Sequence, residues 1–435
     1  MVNTKSYLNL YHNQMAIILG KVVKNKKDID KKKILKELYF GDSLSSAELG
    51  KYIHKSLPLA TKLIYELLDE GFIAETGFAT STGGRRPQTF AIAQNVMYVV
   101  SVAMDQLITK IAIMDMQNNF VSAVERIELP LAKNDEAVAI LSEKIVDVIK
   151  KAAIPKEKII GVGIAMPGFV NIQKGINYSF LFTDNKSISK IIADKVGMPV
   201  YIDNDSSLIA LAELRFGAVN QKKNVMVLNI GWGVGLGLVL NGELFRGHDG
   251  FAGEFSHIPL FNNNKLCACG KSGCLETETS LIVLIEKAKE GIKAGRLSRL
   301  SSLSFDDYEK ASEAIILAAH EGDQFAAELF RDIGYNIGRG VAVLIHLLNP
   351  EVVILSGRGS AAGKILKAPI QQALNEHSIP ILAQNTTIEV SAIGYQAELI
   401  GAAALVMENL ESIPLNSKQL IPAIARVPKL AVQPF

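Results

Sequence analysis

The sequence predicts an α/β chain in two parts: a short helical unit closed by β-strands, then a long body of alternating strands and helices. Three observations predict it. Apolar residues recur at helical spacing three times between residues 31 and 71, and after Asn95 the pattern changes to strand-length apolar runs separated by helical stretches. Charge divides at the same place. Residues 1–95 hold 14 Lys+Arg against 9 Asp+Glu, whereas the rest of the chain holds 32 against 35, so a basic front precedes a mildly acidic body. With 435 residues, 49% of them apolar, the chain has the material for two to three domains with large cores.

In the first part, Ile34, Leu35 and Leu38 stripe one helix. Ser45 or Ser46 caps a second that carries Leu49 and Ile53, and Leu59, Leu63, Leu67 and Leu68 stripe a third. The third ends at Gly71 and leads into Phe72-Ile73-Ala74, which is the helix-turn-helix plan. A turn at Thr76-Gly77 and the segment Ser81-Thr82-Gly83-Gly84-Arg85-Arg86-Pro87 then precede an alternating strand from Gln88 to Ile92. This order predicts a winged helix over residues 1–95. With its apolar positions facing inward, the third helix leaves Thr61, Lys62 and Tyr65 for base edges or phosphates, and the wing presents Arg85 and Arg86 to phosphate or a narrow minor groove. Seven lysines between Lys21 and Lys33 are by themselves the mark of a solvated face; beside this helical pattern they point to nucleic acid.

In the second part, Tyr98 to Met104 and Lys110 to Met116 form a hairpin-like pair, and Lys158 to Ala165 is a glycine-spaced buried strand. Further strands run at Val200 to Asp203, Val225 to Ile230 and Val352 to Leu355, with a helix from Ser207 to Phe216 among the intervening elements. All three cysteines, Cys267, Cys269 and Cys274, lie within eight positions, and His257 stands ten residues ahead. One imidazole and three thiolates complete the tetrahedron of a closed structural zinc site, and Gly270 and Gly273 permit the tight turns it needs. Three buried free cysteines are the bland alternative. No apolar run approaches membrane-spanning length, and the cysteine usage fits a reducing cytoplasm.

Several landmarks in this body resemble the ROK family of repressors, open reading frames and sugar kinases, along essentially the whole chain. They are Pro167-Gly168, Asn204-Asp205, the glycine loop Gly231 to Gly237, GEFSH from Gly253 to His257, and CACGKSGCLE ending at Glu276. The resemblance implies that residues 96–435 form a two-lobed, ribonuclease H-like domain of the actin and hexokinase type. It implies zinc on His257, Cys267, Cys269 and Cys274, and a sugar ringed by Gly168, Asn204, Asp205, Glu254, His257 and Glu276. It also implies a dimer or higher homo-oligomer. Carboxylates and amides are the groups that answer paired hydroxyls. Ser256 stands where the family often has Gly.

In the family's kinases Asp205 would be the general base, and two glycine loops would bring backbone amides to ATP phosphates. Here the first loop reads Asp105-Gln106-Leu107-Ile108-Thr109-Lys110 in place of Asp-x-Gly-Gly-Thr-Lys, and the second carries Trp232 between Gly231 and Gly233. Leu236 also breaks the dinucleotide pattern G-x-G-x-x-G. The expectation is a sugar-responsive, DNA-binding transcriptional regulator, most simply a repressor of carbohydrate-utilisation genes, that does not phosphorylate its sugar. A sugar kinase with a DNA-binding arm is the alternative, and a metal sensor is a third reading.

Overall fold

The computed structural model describes residues 26–79, 86–219 and 222–415. Helix α1 is described over 26–41. After it come β1 (Leu44–Ser45), α2 (Ser46–Tyr52), α3 (Leu57–Asp69), β2 (Ile73–Phe78) and β3 (Gln88–Ile92), and the three strands pair antiparallel in the order β1-β3-β2. Ser45 caps α2 reciprocally: its hydroxyl accepts from the Glu48 N–H, and the Glu48 carboxylate accepts from the Ser45 N–H at 2.8 Å. Such a cap contributes about 1 kcal/mol. Helix α3 buries Ala60, Leu63, Ile64 and Leu67. Leu59, which spacing placed in that stripe, is 40% exposed, because the buried face starts one residue later, at Ala60.

The lysine run also differs from its reading. Lys27 and Lys31 reach Glu66 at 2.7 and 3.1 Å, and Lys31 reaches Glu70 at 2.6 Å, which ties α1 to α3. Lys32 donates to the Glu411 carbonyl at 3.1 Å. Part of the charge that the sequence offered to nucleic acid is therefore used inside the protein. Lys21, Lys24, Arg85 and Ser81 to Gly84, the last five read from the sequence as a wing, lie outside the described residues.

The body is built from two sheets with one plan. The first lobe contains β4 (Tyr98–Met104), β5 (Ile108–Asp115), β6 (Glu125–Glu128), α4 (Ala137–Lys151), β7 (Ile159–Met166), the small pair β8 (Val170–Asn171) and β9 (Ile176–Asn177), α5 (Ile188–Val196) and β10 (Val200–Asn204). Its sheet runs β10-β7-β4-β5-β6. After α6 (Asp205–Phe216) the second lobe contains β11 (Val225–Ile230), β12 (Val234–Leu240), β13 (Glu243–Phe245), α7 (Leu281–Lys293), α8 (Tyr308–His320) and α9 (Gln324–Leu348). It continues with β14 (Val352–Ser356), α10 (Gly363–His377), α11 (Pro380–Ala383) and β15 (Thr387–Val390), and α12 (Ala397–Glu408) follows. Its sheet runs β13-β12-β11-β14-β15. In each sheet the first three strands are an antiparallel meander, and the last two lie parallel to the first. The glycine run from Gly231, read as a loop, divides into a tight turn and the first half of β12.

Two helices cross between the lobes. Helix α6 leaves β10 of the first lobe and packs on β11 and β12 of the second, while α12 leaves the second lobe and packs on β4, β7 and β10 of the first. They touch at Gly401, where a Cβ would stand 2.1 Å from the Leu208 carbonyl oxygen, so only glycine permits the approach. An apolar core joins Ile34, Leu35 and Leu38 of α1 to Leu405 near the end of α12 and to Leu410 and Ile413 just beyond it. Each such side chain contributes about 1.5–3 kcal/mol when fully buried. Among the described residues, no helix is long and apolar enough to cross a membrane.

Candidate ligand cleft and metal centre

Strand ends and turns of both lobes converge on a cavity of ≈ 410 Å³. Gly168, Asn204, Asp205, Glu254, His257 and Glu276, the six residues read as a sugar constellation, all line it. Gly168 follows β7 with φ +87, and a Cβ there would stand 2.5 Å from that of Ser179. Asn204 is the N-cap of α6. Its Oδ1 accepts from the Ser207 N–H at 3.1 Å, and its Nδ2 donates to the Gly168 carbonyl at 3.1 Å. That pairing fixes the amide between β7 and α6. Asp205 opens α6: one oxygen accepts from the Ser206 N–H at 2.7 Å and the other from Asn229 Nδ2 at 3.2 Å. Burial, reinforced by the charge of Glu398, pushes its carboxyl up to about 7.

Glu254 precedes and His257 ends a 3₁₀ turn over Phe255–His257, and Glu276 stands on another over Leu275–Glu278. Glu276 Oε2 accepts from the Val234 N–H at 3.3 Å, so the second turn is pinned to the start of β12. The ligand atoms of His257, Cys267, Cys269 and Cys274 lie within 4.8 Å of one another. His257 Nδ1 is 3.5 Å from Cys267 Sγ, and Cys269 Sγ is 3.6 Å from Cys274 Sγ. A tetrahedral ion with metal–sulfur bonds of about 2.3 Å separates neighbouring sulfurs by roughly 3.8 Å, so the donor set fits a metal. The other ring nitrogen of His257 is 3.7 Å from Glu254 Oε2, on the cavity side. Cys267 and Cys274 are buried and Cys269 is exposed, so the cluster is not three cysteines stored in a core.

The opposite end of the cleft holds residues that motif reading did not bring together. Asp105 Oδ1 accepts from the N–H groups of Leu107 and Ile108, both at 2.7 Å. Its Oδ2 accepts from Trp232 Nε1 at 3.1 Å. The indole is buried, and the Arg358 guanidinium lies 4.7 Å from its ring and 4.7 Å from that of Tyr395. Arg358 also bonds Glu309 at 2.6 Å, and Glu309 accepts from Arg126 at 2.6 Å across the lobes. Beneath them Lys110 lies 3.0 Å above the Tyr395 ring and 3.9 Å from Glu398, and burial pushes its ammonium down to about 8. Arg358, Tyr395 and Glu398 come from chain segments 84 or more residues beyond Cys274, the last of the cysteine motif, and no local pattern marked them.

The ROK family pattern matches residues 99–409. The chain belongs to the ROK family. It is 30% identical to the xylose repressor of Caldicellulosiruptor bescii over 89% of this chain and 98% of that one. A crystallographic ROK family transcriptional regulator, a homologue of the Escherichia coli Mlc protein, superposes with a TM-score of 0.72 at 27% identity, covering 91% of this chain and 98% of that one. A ROK glucokinase of Streptomyces griseus, solved with glucose and AMPPNP, gives 0.60 at 28% identity and covers 71% of this chain and 98% of its own. The kinase is thus matched nearly whole while a larger share of this ROK chain is left over than by the regulator. The two-lobed α/β architecture is the actin and hexokinase-like fold of the family. On the amino-terminal part of this ROK protein, Lys62 and Tyr65 are exposed on α3, Thr61 is partly exposed beside them, and Arg86 is exposed ahead of β3.

Proposed function

We propose that this ROK protein is a sugar-responsive, DNA-binding transcriptional regulator, a repressor of carbohydrate-utilisation genes, that binds a sugar between its lobes without phosphorylating it. One observation carries the reading. Carboxylates and an amide of the kind that grip hydroxyls line an open cavity, whereas the amides that would face ATP phosphates already donate to Asp105 and Glu276. Trp232 is buried beside them, with its indole N–H bonded to Asp105. The similarity to the xylose repressor and to the Mlc homologue supports the regulator over the enzyme.

In this reading residues 1–95 are a winged helix, with Thr61, Lys62 and Tyr65 on the recognition helix and Arg85 and Arg86 on the wing. Residues 96–435 are the sensing domain. Gly168, Asn204, Asp205, Glu254, His257 and Glu276 hold the sugar; His257, Cys267, Cys269 and Cys274 hold a structural zinc, which when bound fixes the imidazole that faces Glu254. A symmetric dimer places two such units on paired half-sites. Selection from random duplexes supplies an operator, and mobility shifts titrated with free sugars test the reading. Operator affinity is expected to change 5–150-fold with the right sugar, the range set by about 1–3 kcal/mol of coupling. The double change Arg85→Ala and Arg86→Ala is expected to weaken binding at all sequences and to lower the salt slope by about 2. An unchanged slope would remove the wing from the interface.

A second reading, a sugar kinase, is favoured by one feature: Asp205, at about 7, is placed and tuned as a general base would be. Sugar-dependent ADP release that disappears in Asp205→Ala would establish it.

A further inference from the structure

Resting on the sugar-sensor reading, we infer that the effector is an uncharged sugar and that its phosphate ester is rejected. A phosphoryl group brings nearly two negative charges and three acceptor oxygens, and it needs free donors or cations to replace its water. The cavity offers no uncommitted cation, and its free donors are neutral side chains such as those of Gln106, Tyr178 and Ser256. Asp105, Asp205, Glu254, Glu276 and Glu398 all line it, and Arg358 is the sole Lys or Arg among the described lining residues.

That guanidinium is already committed. It bonds Glu309 at 2.6 Å and the Tyr395 hydroxyl at 2.5 Å, lies 3.4 Å from Asp105, and is held between two aromatic rings with 8% of its side chain exposed. Lys110, behind the wall, faces Glu398 and the Tyr395 ring. The backbone is committed as well: the N–H groups of Leu107 and Ile108 donate to Asp105, that of Gly231 to the Gly233 carbonyl at 2.9 Å, and that of Val234 to Glu276.

Toward solvent the lining turns aromatic. Phe169, Tyr178 and Phe180 line the cavity, and Phe169 and Tyr178 meet Phe251 of the second lobe edge-on at 5.7 and 6.0 Å. A phosphate held within this lining would lie among five carboxylates and these faces with no uncommitted cation beside it. A neutral sugar meets both well. Its hydroxyls donate to acids, and its C–H face lies on rings.

Isothermal titration of the full chain with D-xylose, D-glucose and N-acetyl-D-glucosamine, each beside its terminal phosphate ester, tests this. One free sugar is expected to bind with an affinity unchanged between 50 and 500 mM NaCl, and its ester at least about 30-fold more weakly, since juxtaposed like charges cost several kcal/mol. An ester that binds as tightly as the free sugar overturns the inference while leaving the sensor intact. Failure of all six to bind removes the sensor reading itself. Glu309→Gln loosens Arg358 without touching the cavity wall, and it is expected to narrow the gap between sugar and ester several-fold; an unchanged gap would show that the commitment of Arg358 is not what excludes phosphate.

Discussion

At the end of the cleft beside the His257 and cysteine cluster, Asp205, Glu254 and Glu276 border open volume, and among the described residues no Lys or Arg pairs with them. At the far end, Asp105, Glu309 and Glu398 have their counterparts inside it, in Trp232, Arg358, Arg126 and Lys110. The residue types are nearly the same at both ends. What differs is whether the partner is internal or has to arrive. Asp205, whose burial raises its pKa and whose second oxygen is held only by the Asn229 amide, is poised for a ligand; Asp105 and Glu309, bonded to a guanidinium, are part of the scaffold. The filled end also ties the lobes together, since Trp232 to Asp105 and Arg126 to Glu309 both cross between them. Motion that answers a ligand is therefore left mainly to the open end.

Removing the metal is the largest way to break this contrast. Cysteine-rich structural sites draw much of their folding energy from zinc, so Cys269→Ser is expected to lose the ion and disorder the turns that carry His257 and Glu276. Sugar affinity should fall more than about 100-fold while the paired end persists. Elemental analysis with calorimetry checks this, and a zinc-free preparation that binds sugar at full strength would refute the coupling.

Asp205 comes next. Its folded value of about 7 exceeds its ordinary value of 3.8, so the folded state holds this proton more tightly than the unfolded chain does. Stability contributed by the group is full below about pH 4, declines as pH rises to about 7, and stays at its minimum above. Asp205→Asn removes the liability. It should stabilise the ligand-free protein by about 2–4 kcal/mol at pH 8, and by little at pH 4, while abolishing the response to sugar. Urea melts of parent and variant at both pH values give the sign; a variant less stable at pH 8 would show that the carboxylate is paired after all.

At the filled end, Trp232→Ala should destabilise the protein by about 3 kcal/mol, because it deletes a buried indole, its bond to Asp105 and the platform under Arg358. Sugar-dependent ATP hydrolysis should still be absent, since the Leu107 and Ile108 amides remain on Asp105. Hydrolysis recovered by this single change would mean that the indole alone blocks the nucleotide.

Most of the open end was legible in the sequence, and little of the filled end was. Asn204-Asp205, Glu254 to His257 and the cysteine run are short local patterns, because turns and helix starts set those side chains beside one another. The filled end draws on Asp105, Trp232, Glu309, Arg358 and Glu398, which only the two sheets and the crossing helix α12 bring together. The loss of glycines at Leu107 and Ile108 signalled that something had changed there, but not that Asp105 would accept both amides. The lysine run was legible only in part for a related reason: composition cannot tell a phosphate-binding lysine from one that reaches Glu66 or the Glu411 carbonyl.

The smallest expected effect concerns how the open end reaches the amino-terminal part read as DNA-binding. Helix α6 begins at Asp205 in the cavity and ends at Phe216, its twelfth residue, about 16 Å away at helical rise. There Phe216 packs against Tyr39 and Phe40 of α1 at 5.5 and 5.9 Å between ring centres. Arg215 lies over Phe40 and bonds Glu408 of α12, which in turn holds Lys36 of α1 at 2.5 Å. Helix α12 itself carries Glu398 at the cavity end. Both crossing helices thus run from the candidate ligand site to the base of α1, and a ligand that shifts either one shifts the seat of the helices read as DNA-binding. Phe216→Ala removes a contact at the end of that path and nothing at its start. Sugar affinity should stay within about twofold of the parent, while the change in operator affinity on adding sugar should shrink by about 0.5–2 kcal/mol, or roughly 2- to 30-fold. Phe216→Leu, which keeps apolar volume, should restore most of it. If Phe216→Ala leaves the sugar effect whole, the signal leaves the cleft by another route, and the first place to look is the filled end, where Arg126 and Glu309 join the lobes.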